Sequence, residues 1–180
     1  MPLNGKRIAM VIAPENFRDE EFQVPYDYFT ERGASVDVFS TRKGKVKGLL
    51  GTSFEVNKTL NDLNVSKYDA IVFVGGPGTP TVRKEERALE IARKAAEQDK
   101  ILAAICWAPT ILAKAGVLEG KKASVWVGMD NEYGMRTDEV LKKYGAIFTG
   151  KGCTVDGNIV TASGPAEAEN FAREITKLLS

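Results

Sequence analysis

The sequence predicts a doubly wound α/β sandwich, a mostly parallel sheet with helices on both faces. Three observations carry this expectation. Short, almost wholly apolar runs, as in Arg7–Ala13, Ala70–Val74 and Ile101–Ile105, read as strands buried on both sides. Segments with helical spacing alternate with them. Glycines stand where several of these segments stop.

The elements follow in chain order. Arg7–Ala13 is a buried strand. Asp19–Arg32 has helical spacing through Phe22, Tyr26 and Phe29 and ends at Gly33. Val36–Ser40 is a second strand, and Lys45–Asn57 a short hairpin punctuated by Gly48 and Gly51. Ala70–Val74 is a strand that runs into Gly75-Gly-Pro-Gly78. Glu85–Gln98 is a helix with i,i+4 charge pairs such as Glu90–Lys94. Ile101–Ile105 is a strand, and Ala108–Ala115 a helix closed by Gly116. A strand at Ala123–Val127, a helix at Thr137–Tyr144 and a strand at Ile147–Thr149 come next. Thr154–Asp156 and Asn158–Thr161 pair as a hairpin turning at Asp156-Gly157, and Pro165–Leu179 is the last helix, with Pro165 at its first position. With no internal repeat, low-complexity tract or linker, residues 1–180 read as a single domain.

Composition narrows the function classes. A net charge of +1 argues against nucleic-acid or anionic-membrane partners. The densest basic stretch, Arg42-Lys-Gly-Lys-Val-Lys47, reads as a solvated hairpin. The apolar run Ile8–Ala13 is too short for a signal segment or a membrane span, so a cytoplasmic location is expected. Two cysteines make no disulfide framework. The chain has no histidine. That speaks against a metal site of the usual kind, and no metal or cofactor is expected. It also excludes Ser-His-Asp and Cys-His catalysis, whether within one subunit or with a histidine lent by a second copy.

Ligands of doubly wound folds bind beyond the carboxyl ends of the strands. Three segments point there. In Ala104-Ile-Cys-Trp-Ala108, small residues stand two positions either side of Cys106, as a nucleophile elbow requires. Cys106 would then sit at a helix start, where the dipole and free N–H groups favour a thiolate. The pentapeptide alone fits an inert cysteine at the end of a core strand as well. In Val74-Gly-Gly-Pro-Gly78, paired glycines let backbone N–H groups approach a ligand, as an oxyanion hole or simply as a tight turn. In Asp19-Glu-Glu-Phe-Gln-Val-Pro25, Asp19 and Glu20 read as partners of the helix dipole. Glu21 differs. Pro25, four residues on, lacks the N–H that would bond its carbonyl, an opening that would aim Glu21 at the strand edge.

Taken together, these segments and the tail Asp156-Gly-Asn-Ile-Val-Thr-Ala-Ser-Gly-Pro165 resemble the DJ-1/PfpI superfamily over nearly the whole chain. The elbow followed by Pro109 and the Gly-Pro tail are specific in combination. The resemblance implies a flavodoxin-like, class I glutamine-amidotransferase-like fold. It implies a strained elbow cysteine at Cys106 and a protonated partner at Glu21, with backbone donors at Gly75, Gly76 and Trp107. It also implies a homodimer or larger homo-oligomer. Activities proposed across that family are peptide hydrolysis, repair of glyoxal-type adducts, glyoxalase chemistry and oxidative sensing. PfpI-like proteases carry histidine after the cysteine, where this chain has Trp107, and Trp126 stands where relatives carry another.

The residues thus point to Cys106 and Glu21 as the chemical pair, with Trp107 and Trp126 walling the pocket. Glu21 would supply the acid–base function that a histidine would otherwise supply. Glu15, Arg18, Asp130 and Tyr133 are rim residues in this reading, the last two reaching across a dimer interface, and Cys153 is a structural thiol. Three readings stay open: a cysteine enzyme acting on reactive carbonyls, their protein adducts or small amide and peptide substrates; a redox sensor oxidised to the sulfinic acid; and an inactive scaffold.

Overall fold

The computed structural model describes all 180 residues. Its strands are β1 Arg7–Val11, β2 Glu15–Phe17, β3 Ser35–Ser40, β4 Gly44–Gly48, β5 Ser53–Val56, β6 Lys58–Thr59, β7 Ala70–Phe73, β8 Ile101–Ile105, β9 Lys122–Ala123, β10 Met129–Asp130, β11 Met135–Arg136, β12 Ile147–Phe148, β13 Cys153–Asp156 and β14 Ile159–Ala162. Its α-helices are α1 Asp19–Glu31, α2 Thr79–Arg83, α3 Glu86–Glu97, α4 Pro109–Lys114, α5 Thr137–Lys143 and α6 Ala168–Leu179.

The central sheet runs β13-β14-β8-β7-β1-β3-β6. All neighbours pair parallel except β13, which forms an antiparallel hairpin with β14 at the edge. Helices α1 and α6 pack together on one face, and α2 to α5 gather on the other. This explains why every residue of β7 and β8 is buried: neither face of a central strand meets water. Helix α6 turns Phe171, Ile175 and Leu179 onto the sheet at four-residue spacing. Helix α1 buries Phe22, Pro25 and Phe29 at spacings of three and four, and Phe22 packs edge-on against Phe17 and Phe54.

The predicted doubly wound sandwich is therefore present, with two departures. The strand expected over Ala123–Val127 is only β9, pairing with β12. Beyond it the backbone turns to other partners: Ser124 N–H bonds the Thr161 hydroxyl and Trp126 N–H bonds the Cys106 carbonyl. Glu90 pairs with Arg87 at 3.3 Å rather than with Lys94. Elements β2, α2 and the β10–β11 hairpin were not foreseen, being short and without a period of their own. No helix is long and apolar enough to cross a membrane.

Chain order reverses between β1 and β7, the usual ligand crevice in such sheets. Here the protein fills it. Gly76 and Gly78 lie so close to the 15–18 backbone that a methyl group on either would collide with it. The elbow cysteine sits one strand over, past the end of β8.

Candidate active site around Cys106

Strand β8 ends at Ile105, and the chain must turn at once into α4. Cys106 makes that turn at φ +65°, in the left-handed region, at a cost of about 1–2 kcal/mol for a residue with a side chain. Two backbone bonds hold it there. Cys106 N–H donates to Ala162 O at 2.7 Å, and its carbonyl accepts from Trp126 N–H at 2.8 Å. The flanking Ala104 and Ala108 are completely buried, so larger side chains have no room.

Glu21 lies in the first turn of α1 with its side chain fully buried. Helix α1 runs unbroken past Pro25, so the start of the helix at the sheet edge, not an opening at the proline, brings Glu21 to the thiol. Gly75 makes the approach feasible. A Cβ there would stand 2.9 Å from both Cys106 Cβ and Glu21 Oε1. Gly75 O also accepts from Arg18 N–H at 2.9 Å, which fastens the glycine loop to the segment leading into α1.

Burial sets the protonation of both acids. It pushes Glu21 up to about 8, against the opposing pull of the Cys106 thiol, the Arg18 charge and the Gly75 N–H. Neither carboxyl oxygen has a hydrogen-bond partner of ordinary geometry, so these groups are near without being aligned. At neutral pH the carboxyl keeps its proton. Cys106 is raised too, first by burial and then by the Glu21 charge, while the N–H groups of Trp107 and Gly76 pull the other way. This corrects the expectation of a thiolate favoured by a helix start: α4 is six residues long and begins three residues on, and burial outweighs the donors. Neither acid ionises easily while its neighbour is charged.

Of the expected backbone donors, Trp107 and Gly76 face the thiol, and Gly75 faces Glu21. Trp107 and Trp126 stack with centroids 4.9 Å apart at 35°. The rim residues fare differently. Glu15 is exposed on β2, in a polar cavity with Arg42, Lys45 and Lys47. Arg18 forks onto Glu20, with both contacts at 3.0 Å. Asp130 is not at the rim. It is fully buried, paired with Arg83 at 2.6 Å, and accepts the Trp107 indole N–H at 2.9 Å. Tyr133 lies against the Arg83 guanidinium, 4.7 Å from ring centre to Cζ. Asp19, read as a dipole partner, is buried and accepts the N–H groups of Leu50 and Thr52 at 2.7 and 2.8 Å. Cys153 sits half-buried on β13, pushed up to about 11 by burial and by Glu174 and Glu167. Arg83 was missed by the sequence reading. A lone arginine at the end of an unrecognised short helix, leading into a charged run, carries no local signal of burial.

A doubly wound α/β sandwich with a strained elbow cysteine set against a buried, protonated glutamate defines the class of protein. The sequence profile of the DJ-1/PfpI family matches residues 6–178, and the chain belongs to that family. It is 40% identical over 178 residues to the uncharacterized protein MJ0967 of Methanocaldococcus jannaschii, covering 98% of this chain and 84% of that one. It is 34% identical over 170 residues to deglycase PfpI of Pyrococcus furiosus, covering 94% of this chain and 98% of the relative. Among solved structures, a ThiJ/PfpI domain protein from Brachyspira murdochii superposes with a TM-score of 0.88 at 29% identity, covering 97% of this chain and 98% of that one.

Proposed function

We propose that the protein is a cysteine-dependent enzyme of the deglycase kind, acting on reactive carbonyl compounds or their protein adducts through Cys106 with Glu21 as proton carrier. The observation that carries this is the buried Glu21 carboxyl, protonated at neutral pH, beside a thiol held at φ +65°. Similarity to a relative named a deglycase supports the same reading.

In the first step the sulfur adds to an aldehyde carbon. The S–C bond forms and the C=O π bond breaks. The thiol proton is passed on by Glu21, which gives its own proton to the new alkoxide and takes the one leaving sulfur. The product is a hemithioacetal, with no change in total proton count and no oxidant. For an α-oxoaldehyde, the proton on the carbinol carbon then moves to the neighbouring carbonyl carbon while the carbinol O–H proton moves to that carbonyl's oxygen; the isomerisation gives a thioester, which water cleaves to a 2-hydroxy acid and the free Cys106 thiol. The half-buried Trp107 and Trp126 offer an apolar wall and no imidazole, which favours carbonyl chemistry over Cys-His proteolysis.

The test is methylglyoxal consumption and lactate formation by the wild-type protein and Cys106→Ala. Turnover by the wild type alone is expected; equal inertness of the two would end the enzyme reading. One observation favours a second reading, redox sensing: both Glu21 oxygens lack aligned partners and are free to meet a sulfinate. Intact-mass analysis after graded peroxide should then show two added oxygens at Cys106 before any at Cys153.

A further inference from the structure

Arg83 and Asp130 form an ion pair from which water is wholly excluded, at 0% exposure for both side chains. The arginine closes α2, just after the glycine loop, and the aspartate ends β10, at the turn of the β10–β11 hairpin. Burying two charges is costly, and apolar residues of similar volume commonly serve stability as well or better. What such residues lack is a directed set of hydrogen bonds.

Here the bonds converge on one residue, Trp107. Asp130 accepts from Arg83 Nη1 at 2.6 Å, from Nη2 at 3.1 Å, from Trp107 Nε1 at 2.9 Å and from Tyr133 N–H at 3.4 Å. Arg83 Nη1 also donates to the Thr110 hydroxyl at 2.9 Å, and that hydroxyl donates to Trp107 O at 2.8 Å. Trp107 is therefore held at both ends, its indole by Asp130 and its carbonyl through Thr110 by Arg83. Its own N–H faces Cys106. Tyr133 lies against the guanidinium, and the half-exposed Glu132 meets it at 3.3 Å from the solvent side.

We propose that Arg83 and Asp130 are positioning residues for the reacting thiol: by fixing Trp107 at its indole and its carbonyl, the pair sets the peptide whose N–H faces Cys106 and the orientation of the Trp107–Trp126 wall. This rests on the reading of Cys106 as the reacting group, and it adds a device that joins the glycine loop, the elbow and the β10–β11 hairpin into one unit. Single removal of either partner would strand a buried charge, so the informative change replaces both.

The experiment compares the wild type with the double variant Arg83→Met, Asp130→Leu and with Trp107→Phe, which keeps the ion pair and loses the indole N–H together with one ring of the indole. Two readouts are taken: the exciton couplet of the stacked indoles by circular dichroism, and the pH dependence of Cys106 alkylation by iodoacetamide. The charged and titratable groups facing Cys106 are Glu21 and Arg18; those facing Asp130 are Arg83, Glu132 and Tyr133. In the double variant the couplet should fall by about half or more, since stacking then lacks a fixed orientation. In both variants the alkylation midpoint should rise by about half a pH unit, roughly threefold in rate below it, as the Trp107 donor loses its aim. If the double variant does not fold, Trp107→Phe decides alone. A wild-type midpoint in the folded variants, with or without a higher plateau from easier access, overturns the proposal. Failure of the wild type to turn over methylglyoxal would bear on the enzyme reading and leave this comparison intact.

Discussion

At the scale of single residues, the site is a set of local costs held in place by neighbours. Cys106 occupies a backbone region that glycine adopts freely. Cys106→Gly should therefore be more stable than Cys106→Ala by roughly 1 kcal/mol in urea unfolding; equal stabilities would show the turn to be unstrained. Glu21 supplies a pH signature. Its folded value of about 8 lies above its ordinary 4.5, so between those pH values the unfolded chain releases a proton that the folded chain keeps. Stability must fall as pH rises through that window. Glu21→Gln has no charge to bury. Its stability in urea unfolding should hold better than the wild type's as pH rises from 5 to about 8, with the two diverging by a few kcal/mol at about 1.4 per pH unit. Parallel curves would mean that Glu21 ionises normally.

At the scale of elements, the elbow is legible because its constraint is local: small residues at Ala104 and Ala108, a Gly-Gly pair, and an acid in a first helical turn. The partners that hold it are not. Strand β9 stops early because Ser124 and Trp126 give their N–H groups to Thr161 and Cys106, choices made by residues tens of positions away. Asp130 read as a rim residue because an Asp in a polar loop is usually exposed; its partner Arg83 is 47 residues distant. The same pair gives an element-scale prediction. Arg83→Met alone leaves Asp130 buried and uncompensated, and should cost about 3–5 kcal/mol in urea unfolding. A loss below about 1 kcal/mol would show the pair to be solvated. Asp19 is a second such clamp, fastening the β4–β5 turn to α1. Burial works against its ionisation, but the Leu50 and Thr52 N–H groups win and hold its carboxyl below the usual range. Its contribution is present above the ordinary aspartate pKa and disappears as pH falls through the lowered value. Asp19→Ala should lose about 1.5–3 kcal/mol at pH 7, and the loss should shrink steadily as pH falls below the ordinary aspartate value; a loss independent of pH would remove the charge from the explanation.

At the scale of the whole molecule, the parallel sheet was legible because central strands buried on both faces are apolar throughout, as Ala70–Phe73 and Ile101–Ile105 are. What the pattern could not convey is how the loops share the carboxyl edge. The crevice at the β1/β7 reversal is closed by the packing of Gly76 and Gly78 on residues 15–18, which leaves the end of β8 as the place where a thiol and a carboxyl meet. In a chain without histidine, the titratable group brought to that thiol is Glu21. The central claim is that Cys106 faces a neutral carboxyl at neutral pH. Infrared difference spectroscopy of the wild type against Glu21→Gln tests it most directly. A protonated-carboxyl C=O band present at pH 7 and lost as pH passes about 8 is expected; a band already gone at pH 6 would contradict it.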